Sequence, residues 1–376
     1  MILISLLGDD LSILIPVINE FKDKITHHFI IHDDAADDIR RAKQFCKGLE
    51  RFTQNHHLRW KSDVYQLDED SKSDIVRLYH TIKTQHEGEI VLHSTEGFAS
   101  LALILSNLIL SNGGKVVTYD TKDNELNTFI GTSLTRIKLI SKLNINDYLT
   151  LLNFKPIDMN QESNLNHRKD NILNLFKDHK RFLGVRDALV KKDKKFNYDE
   201  HRDLLEMLEQ LEIVDTMHQL IPTEQMTLQG TLFEEYVFWL SHELGFDDIV
   251  MGAKIDFEQE NVENANHRVI NEFDILMTHN NRMYTIECKL VKHLDGTEYV
   301  YKYDAIIDIF GTGTKAILLN VSQKEMTPYL NTKSSANFNY ATIRRARMKD
   351  IQVYHDTHID PIVFSNLARN FFNLPQ

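Results

Sequence analysis

The first 120 residues alternate apolar segments with amphipathic ones, and this alternation constrains the fold more than any other feature. The apolar segments predict strands and the segments between them predict helices. In chain order after an opening strand and helix they read THHFIIH, DIRRAKQFCKGLERF, DVYQLD, SDIVRLYHTIKTQ, EIVLHS, FASLALILSNLILSN and KVVTYDT. Strands that alternate with helices form a parallel sheet covered on both faces. The sequence therefore predicts an α/β domain of Rossmann-like type over residues 1–155.

Two loops of this predicted domain are candidate ligand sites. In a parallel α/β sheet, ligands bind at the carboxyl ends of the strands. The loops after the first and fourth predicted strands contribute Gly8, Ser12, His93, Ser94, Thr95 and Gly97. The sequence has no GxGxxG motif, which argues against a dinucleotide cofactor. The residues alone leave open whether 95–97 is a phosphate-binding nest or a plain turn before a helix.

Residues 156–228 predict a helical connector. Helical periodicity extends over 167–192 and 197–215, and residues 215–228 could form a small β-wing. We therefore interpret this part as a helical or winged-helix-like connector.

The stretch NEFDILMTHNNRMYTIECKL, residues 271–290, predicts a β-hairpin with a cluster of charge. Asn280-Asn281 suits a type I′ turn, because asparagine tolerates positive φ. That turn pairs residues whose numbers sum to 561, which places Asp274 opposite Glu287 and Lys289 on the same face. Facing carboxylates repel each other unless a cation lies between them, and hard oxygen ligands suit Mg²⁺ or Mn²⁺. The other face is apolar: Phe273, Ile275, Tyr284, Ile286 and Cys288.

A helix predicted over residues 228–246 supplies a further carboxylate. Its buried stripe is Phe233, Val237, Leu240 and Leu244. Glu234 lies beside that stripe in the first turn, where it either stabilises the helix N-terminus or reaches the metal. Lys289 also has two readings. It is either a cross-strand ion pair with Glu272 or the group that holds an attacking water or a growing negative charge.

This helix and hairpin resemble the core of the PD-(D/E)XK nucleases. That core has a helix bearing Glu, a hairpin bearing Asp and Glu-x-Lys, and then a crossover helix and strand. Here residues 299–310 predict a helix closed by Gly311, KAILLNVS predicts a buried strand, and 342–355 predict helix then strand. The resemblance implies a restriction-endonuclease-like domain over 229–376. It implies catalytic roles for Glu234, Asp274, Glu287 and Lys289, with Mn²⁺ or Mg²⁺ bound by Glu234, Asp274 and Glu287.

The order of Rossmann-like domain, connector and nuclease core resembles the single-CARF nucleases that accompany type III CRISPR systems. The anchors are Gly230-x-x-x-Glu234, Asn271-Glu272-x-Asp274, Ile286-Glu287-Cys288-Lys289 and Tyr301-Lys302-Tyr303. The resemblance implies a homodimer joined through its CARF domains. It also implies a cyclic oligoadenylate activator, usually cyclic tetra-adenylate, at the dimer interface, and metal-dependent cleavage of DNA or RNA in antiviral defence.

One segment departs from that family's pattern. The family commonly carries Asn-x-Thr-Gly-Gly-Thr-Lys after the fourth strand, whereas this chain reads His93-Ser94-Thr95-Glu96-Gly97-Phe98-Ala99. Alanine replaces the lysine, and Glu96 adds a negative charge beside a polyanionic ligand. The sequence therefore supports the nuclease assignment more directly than it supports the identity of the ligand.

Composition limits the classes of function. The net charge of −12 argues against binding nucleic acid by bulk electrostatic attraction. Lys and Arg concentrate in residues 167–195 and 331–350, which form either solvated faces or phosphate contacts. Cys46 and Cys288 provide neither a disulfide framework nor a zinc spacing, which fits a reducing cytoplasm.

The apolar segments do not predict a membrane protein. The N-terminus lacks a basic region, and Asp9-Asp10 interrupts its apolar run, so it does not read as a signal peptide. FASLALILSNLIL, residues 98–110, has 13 residues, which is too short to span a bilayer and predicts a buried helix. We therefore predict a cytoplasmic protein with no membrane segment.

Two other functions remain open from the sequence. One is a nucleotide-responsive transcription regulator that uses the connector as a winged helix and carries an inert nuclease-like domain. The other is a constitutive repair-type nuclease with a structural N-terminal domain, which would cleave without any added nucleotide.

Overall fold

The computed structural model of the chain describes residues 1–33, 35–68, 71–257, 270–291, 296–321 and 340–375. Its first domain contains a seven-stranded sheet in the order β3-β2-β1-β4-β5-β6-β7. The strands are β1 Ile2–Leu6, β2 His27–His32, β3 Ser62–Gln66, β4 Ile90–His93, β5 Lys115–Asp120, β6 Glu125–Ile130 and β7 Ser133–Lys138. The helices are α1 Leu14–Phe21, α2 Ala36–Asn55, α3 Lys72–Gln85, α4 Ala99–Ser111 and α5 Ile145–Leu151.

The first five strands are parallel, as the alternating sequence pattern predicts. β1 and β4 are buried along their whole length, because helices cover both faces of a parallel sheet. β6 and β7 extend the sheet as an antiparallel hairpin, which the sequence reading did not foresee. All six residues of the edge strand β7 are exposed.

Helix α4 differs from the buried helix predicted for residues 98–110. Leu101, Leu105 and Ile109 are buried, but Leu103 on the outer side is 72% exposed. The prediction of a buried helix was wrong for the outer side, because only one face of α4 packs against the rest of the domain. Of the helices in the described ranges, none is long and apolar enough to cross a membrane.

The middle of the chain is mainly helical, as predicted. Its helices are α6 Glu162–Leu165, α7 Lys169–Leu175, α8 His179–Lys191 and α9 Arg202–Gln210. At the start of the segment proposed as a β-wing, Val214 and Leu220 form an isolated bridge. The region starts with strand β8, Lys155–Asn160, which pairs with the C-terminal sheet.

The C-terminal domain contains a six-stranded sheet in the order β13-β12-β11-β10-β9-β8. Its further strands are β9 Asp248–Asp256, β10 Ile270–His279, β11 Arg282–Lys289, β12 Lys315–Asn320 and β13 Ile351–Tyr354. Its helices are α10 Leu232–His242, α11 Gly296–Phe310, α12 Tyr340–Arg347 and α13 Pro361–Phe372. The predicted order of helix, hairpin, helix, strand, helix and strand is confirmed, with Ser322 of the predicted KAILLNVS strand outside the described residues.

A shared hydrophobic core joins the two sheets. One buried cluster contains Leu14 and Tyr148 from the N-terminal domain together with Val250, Phe273 and Phe310 from the C-terminal domain. Burial of apolar area contributes about 25 cal/mol per Å². Contacts of this kind therefore hold the two domains against each other.

Candidate active site

The hairpin forms with the turn and register that the sequence predicts. Asn280 and Asn281 have φ values of 50° and 59°, which both central residues of a type I′ turn require. The pairs run from His279 opposite Arg282 to Ile275 opposite Ile286, and each pair of numbers sums to 561. Two local asparagines therefore determine which side chains of β10 and β11 share a face.

The predicted apolar face is correct except for Phe273. Ile275, Tyr284, Ile286 and Cys288 pack together in one core. Phe273 packs in the other core, so its assignment to the same face was wrong. The change of face occurs at Asp274, whose side chain accepts the Cys288 N–H at 2.7 Å. In the adjacent strand β9, Gly252 lies opposite Asp274 and has a φ of 63°. This irregularity interrupts the simple alternation of a strand.

The two hairpin acids and the lysine meet on the opposite side. Lys289 Nζ lies 2.6 Å from Glu287 Oε1 and 3.4 Å from Asp274 Oδ2. Both acids are buried, with 8% of Asp274 and 3% of Glu287 exposed. The hydroxyl of Tyr303, on α11, donates a hydrogen bond to Glu287 Oε2. Asp274 and Glu287 therefore lie on the same side, and one ammonium group contacts both.

Glu234 lies beside this cluster in the first turn of α10. A π-helical turn, Thr227–Thr231, precedes the helix, and such turns are frequent at functional sites. A Cβ added at Gly230 would lie 3.4 Å from Glu234 Oε1, so the carboxylate extends over that glycine. Burial raises the pKa of Glu234, as do Glu272 and Glu287, whereas Lys289 lowers it. The third predicted acid is therefore within electrostatic range of the hairpin pair.

The electrostatics of the cluster favour the binding of a further positive charge. Burial raises the pKa of Asp274 well above its ordinary value, and the charges of Glu287 and Glu234 raise it further against the effect of Lys289. Burial alone would lower the pKa of Lys289, but Asp274 and Glu287 outweigh burial and raise it. Lys289 therefore stays charged, and its single positive charge does not fully balance the surrounding carboxylates.

The residues fit a hard divalent cation such as Mg²⁺ or Mn²⁺. Among the residues that the structure describes, no three His, Cys, Asp or Glu side chains group closely enough to form a complete metal site. Mg²⁺ characteristically binds through one or two carboxylates and completes its shell with waters and substrate phosphates. Asp274 and Glu287, with Glu234 beside them, match that incomplete oxygen set.

The structure also bears on the alternative ion pair proposed for Lys289. Glu272 is exposed, and its carboxylate lies 3.9 Å from Lys254 Nζ on the adjacent strand. Lys289 contacts the two buried hairpin acids.

The sequence analysis did not assign a role to Tyr303. The motif Tyr301-Lys302-Tyr303 lies on this helix, but only the packing of α11 against the sheet shows which tyrosine reaches Glu287.

The candidate ligand loops of the N-terminal domain lie next to each other. A Cβ at Gly8 would approach Glu96 Oε2 to 2.3 Å, and a Cβ at Gly97 would approach Leu6 Cβ to 2.6 Å. Gly97 has a φ of 95°. Glycine is therefore required at both positions for the two loops to fit together.

The polar residues of these loops have different surroundings. His93 is fully buried, and its Nε2 lies 2.7 Å from Thr95 Oγ1, which also accepts the Tyr119 N–H at 2.6 Å. The Ser94 N–H donates to Val117 O. Ser12 is buried and faces Gly311 of the C-terminal domain, since a Cβ on Gly311 would lie 2.0 Å from Ser12 Oγ. The loops therefore place Gly8, Thr95 and Gly97 together, whereas His93 supports Thr95 and Ser12 faces the other domain.

Comparison with known families identifies the domain that carries the acids. Residues 223–335 match the family model described as the Card1-like endonuclease domain. This part of the chain is similar to the Card1-like endonuclease domains. It contains Glu234, Asp274, Glu287, Lys289 and Tyr303. A search of the curated proteins found no match to the sequence.

Solved structures share the fold of the whole chain. The protein VC1899 from Vibrio cholerae aligns with a TM-score of 0.75 at 16% identity and covers 98% of this chain and 97% of its own. Can2 from Sulfobacillus thermosulfidooxidans, solved with cyclic tetra-adenylate, aligns with a TM-score of 0.70 at 15% identity over 99% of both chains. A type III CRISPR defence DNA nuclease activated by cyclic oligoadenylate aligns at 0.53 and 13% identity over 90% of this chain and 48% of its own. At these identities the similarity shows a common fold.

Proposed function

We propose that the protein is a metal-dependent endonuclease of type III CRISPR defence that a cyclic oligoadenylate switches on. The observation that carries the proposal is the Asp274, Glu287 and Lys289 cluster inside a Card1-like endonuclease domain. The fold shared with Can2, which was solved with cyclic tetra-adenylate, supports that molecule as the first candidate activator. DNA and RNA are both candidate substrates.

Three carboxylates and a lysine supply the chemistry. Glu234, Asp274 and Glu287 would hold Mn²⁺ or Mg²⁺, which when bound polarises the phosphate and lowers the pKa of water. Lys289, held between the two hairpin acids, offers N–H donors to an attacking water or to the oxygen on which negative charge grows. Tyr303 holds the second oxygen of Glu287. These contacts fix the site before substrate arrives, which reduces the reorganisation needed in the reaction.

A homodimer joined through the N-terminal domains is the proposed assembly. Leu103 on the outer face of α4 is 72% exposed, and Leu134 and Ile137 on β7 are 46% and 59% exposed. Exposed apolar side chains on a domain surface are a feature of protein interfaces. A two-fold interface would place both copies of the Gly8–Ser12 and Ser94–Gly97 loops around one pocket, which suits a cyclic ligand with two-fold symmetry. A cytoplasmic location is consistent with the free thiols of Cys46 and Cys288.

A cleavage assay tests this function. The full-length protein is incubated with Mn²⁺ or Mg²⁺ and with single- or double-stranded DNA or RNA, with and without a panel of cyclic oligoadenylates. We expect cleavage that depends on both the metal and one member of the panel. Equal cleavage without nucleotide would instead support a constitutive nuclease. Ligand binding without cleavage of any substrate would support a regulator with an inert domain.

A further inference from the structure

Glu287 is held from two sides by different elements. Lys289, two residues along β11, contacts Oε1, and Tyr303 on α11 donates its hydroxyl to Oε2. Tyr303 is 1% exposed and packs with Val300, Leu318 and other buried residues between α11 and the sheet. The position of α11 therefore determines whether the Tyr303 hydroxyl reaches the carboxylate.

The C-terminal end of α11 is bound to the N-terminal domain. The Tyr148 hydroxyl, on α5, donates to Phe310 O at 2.6 Å. Phe310 is fully buried in the core that the two domains share. The next residues contact the loop after β1, where Asp10 Oδ2 accepts the Thr312 N–H at 2.6 Å. Two hydrogen bonds and a buried ring thus anchor this helix end to the N-terminal domain.

The anchoring loop is the first candidate ligand loop. Asp10 Oδ1 accepts both the N–H and the hydroxyl of Ser12, at 2.9 and 2.6 Å. Gly311, with a φ of 93°, allows Ser12 to lie against the turn that ends α11. Gly8, at the start of the same loop, touches Glu96 of the second loop. A ligand that moves either loop therefore acts on groups that hold the end of α11.

The helix is short enough to transmit such a movement. Tyr303 lies seven residues before Phe310, which in an α-helix is about 10 Å along the axis. An uninterrupted α-helix of this length moves as a unit, so displacement of its end displaces the Tyr303 hydroxyl. Partners that orient metal ligands typically change metal affinity or activity by about 10–100-fold when they are removed.

We propose that Tyr303 is a positioning residue for Glu287, and that α11 transmits to it the state of the Gly8–Ser12 loop. The inference rests on the proposed function, because the loop matters for activation only if it responds to a ligand. One consequence does not depend on the activator. Breaking the anchors at the end of α11 should weaken the metal site even when no activator is present.

The first test removes the Tyr303 hydroxyl. Binding of Mn²⁺ to the full-length Tyr303→Phe protein is measured by calorimetry without substrate, and kcat and KM are measured separately. We expect Mn²⁺ affinity to fall about 10–100-fold and kcat to fall, with KM for nucleic acid unchanged. Tyr301→Phe is the matched control, since Tyr301 lies on the same helix and is 57% exposed. Wild-type Mn²⁺ affinity in Tyr303→Phe would overturn the positioning role.

The second test breaks the anchor across the domain interface. Tyr148→Phe and Asp10→Ala are examined by the same Mn²⁺ titration, and we expect the affinity for Mn²⁺ to fall about 2- to 30-fold, the range of long-range coupling. Tyr236→Phe is the control, because it also loses a hydroxyl bond to a buried carbonyl, that of Ile359, but within the C-terminal domain. It should lose stability without losing Mn²⁺ affinity.

The two experiments separate this inference from the proposed function. If wild-type protein shows no stimulation by any cyclic oligoadenylate, the activator proposal fails, and the Mn²⁺ titrations still decide the role of α11. If stimulation occurs, Tyr148→Phe should bind the activator like wild type and show a smaller increase in cleavage rate. Full stimulation and wild-type Mn²⁺ affinity in both Tyr148→Phe and Asp10→Ala would overturn transmission through α11.

Discussion

The structure places Lys289 in ion pairs, and we propose a catalytic role for the same side chain. It forms ion pairs, and the partners in those pairs are the carboxylates expected to bind the metal, Asp274 and Glu287. Because all three groups are largely buried, removing the lysine leaves two carboxylates without a cation. Buried pairs broken in this way cost about 3–5 kcal/mol, far more than an exposed pair. The residue is therefore coupled to folding as well as to catalysis.

Lys289→Met separates these contributions. We expect the cleavage rate to fall about 10²–10³-fold, since a contact to the growing charge is lost. Without metal the melting temperature should fall, and Mn²⁺ should recover much of it because the ion replaces the missing positive charge. Lys254→Met is the control, since Lys254 pairs with exposed Glu272 on the same sheet. A Lys289→Met protein that cleaves at the parental rate would contradict the assigned role.

The hairpin shows what local sequence determines and what it does not. Asn280-Asn281 fixes the turn, and the turn fixes the register, so the meeting of Asp274, Glu287 and Lys289 could be predicted. The face of Phe273 could not, because it depends on Gly252 in another strand. The role of Tyr303 likewise depends on how α11 packs against the sheet. Predictions failed where the decisive partner is distant in sequence.

The tip of the hairpin is held in place by the side chain of Asn281. Asn281 is 3% exposed, accepts the Leu143 N–H at 3.0 Å, and donates to Asn124 Oδ1 and Ser141 O at 3.0 and 3.1 Å. Asn281→Gly keeps the positive φ but loses these bonds, and should reduce the free energy of unfolding by roughly 2–4 kcal/mol. Denaturant titration measures the change.

The neighbouring position controls for the backbone effect. Asn280 occupies the same turn but is exposed, and Asn280→Gly keeps the backbone N–H that donates to Asp247. It should change stability by much less. Equal losses in the two variants would show that the side-chain bonds of Asn281 contribute nothing beyond turn geometry.

The parallel sheet of the N-terminal domain has a built-in acid sensitivity. His28 is fully buried. Its Nδ1 lies 3.0 Å from the Ser62 hydroxyl and its Nε2 lies 3.0 Å from the Ser5 hydroxyl. Burial lowers the pKa of His28 to about 3. The unfolded chain binds a proton at His28 near pH 6.5 and the folded chain does not. Stability from this residue is therefore present above pH 6.5 and is lost as the pH falls towards 3, by up to about 1.4 kcal/mol per pH unit.

His28→Asn isolates the contribution of this histidine to the pH dependence of stability. Denaturant unfolding is compared between pH 6 and pH 4.5, and the variant should lose stability with falling pH less steeply than wild type. His80→Asn, at an exposed position on α3, should keep the wild-type pH slope. Identical slopes for His28→Asn and wild type would contradict the assignment of a buried neutral histidine.

At the scale of the molecule, the sequence allowed the order of domains to be predicted but not how they join. The alternating segments and the hairpin define two separate sheets. The structure adds that β8 pairs with the second sheet and that one core includes residues from Leu14 to Phe310. In the sequence, apolar residues at the interface between the two domains look the same as core residues of one domain. Their partners therefore could not be assigned.

The exposed face of α4 leads to a prediction about assembly. Leu103→Glu places a charge on the proposed dimer interface, and burying an unpaired charge there is costly. We expect the wild type to be a dimer and this variant a monomer by light scattering at micromolar concentration. Met217→Glu, at a connector residue that is also 72% exposed, should remain dimeric. A monomeric wild type, with and without ligand, would contradict the assembly.

The most direct test of the central claim is the single-turnover cleavage rate of the full-length protein in Mn²⁺, measured with and without cyclic tetra-adenylate. The claim is that the Asp274, Glu287 and Lys289 site cuts nucleic acid under the control of the N-terminal domain. We expect fast cleavage by wild type only with the cyclic nucleotide and a rate at least about 10²-fold lower for Lys289→Met under the same conditions. Equal rates with and without the nucleotide, or equal rates for the two proteins, would contradict it.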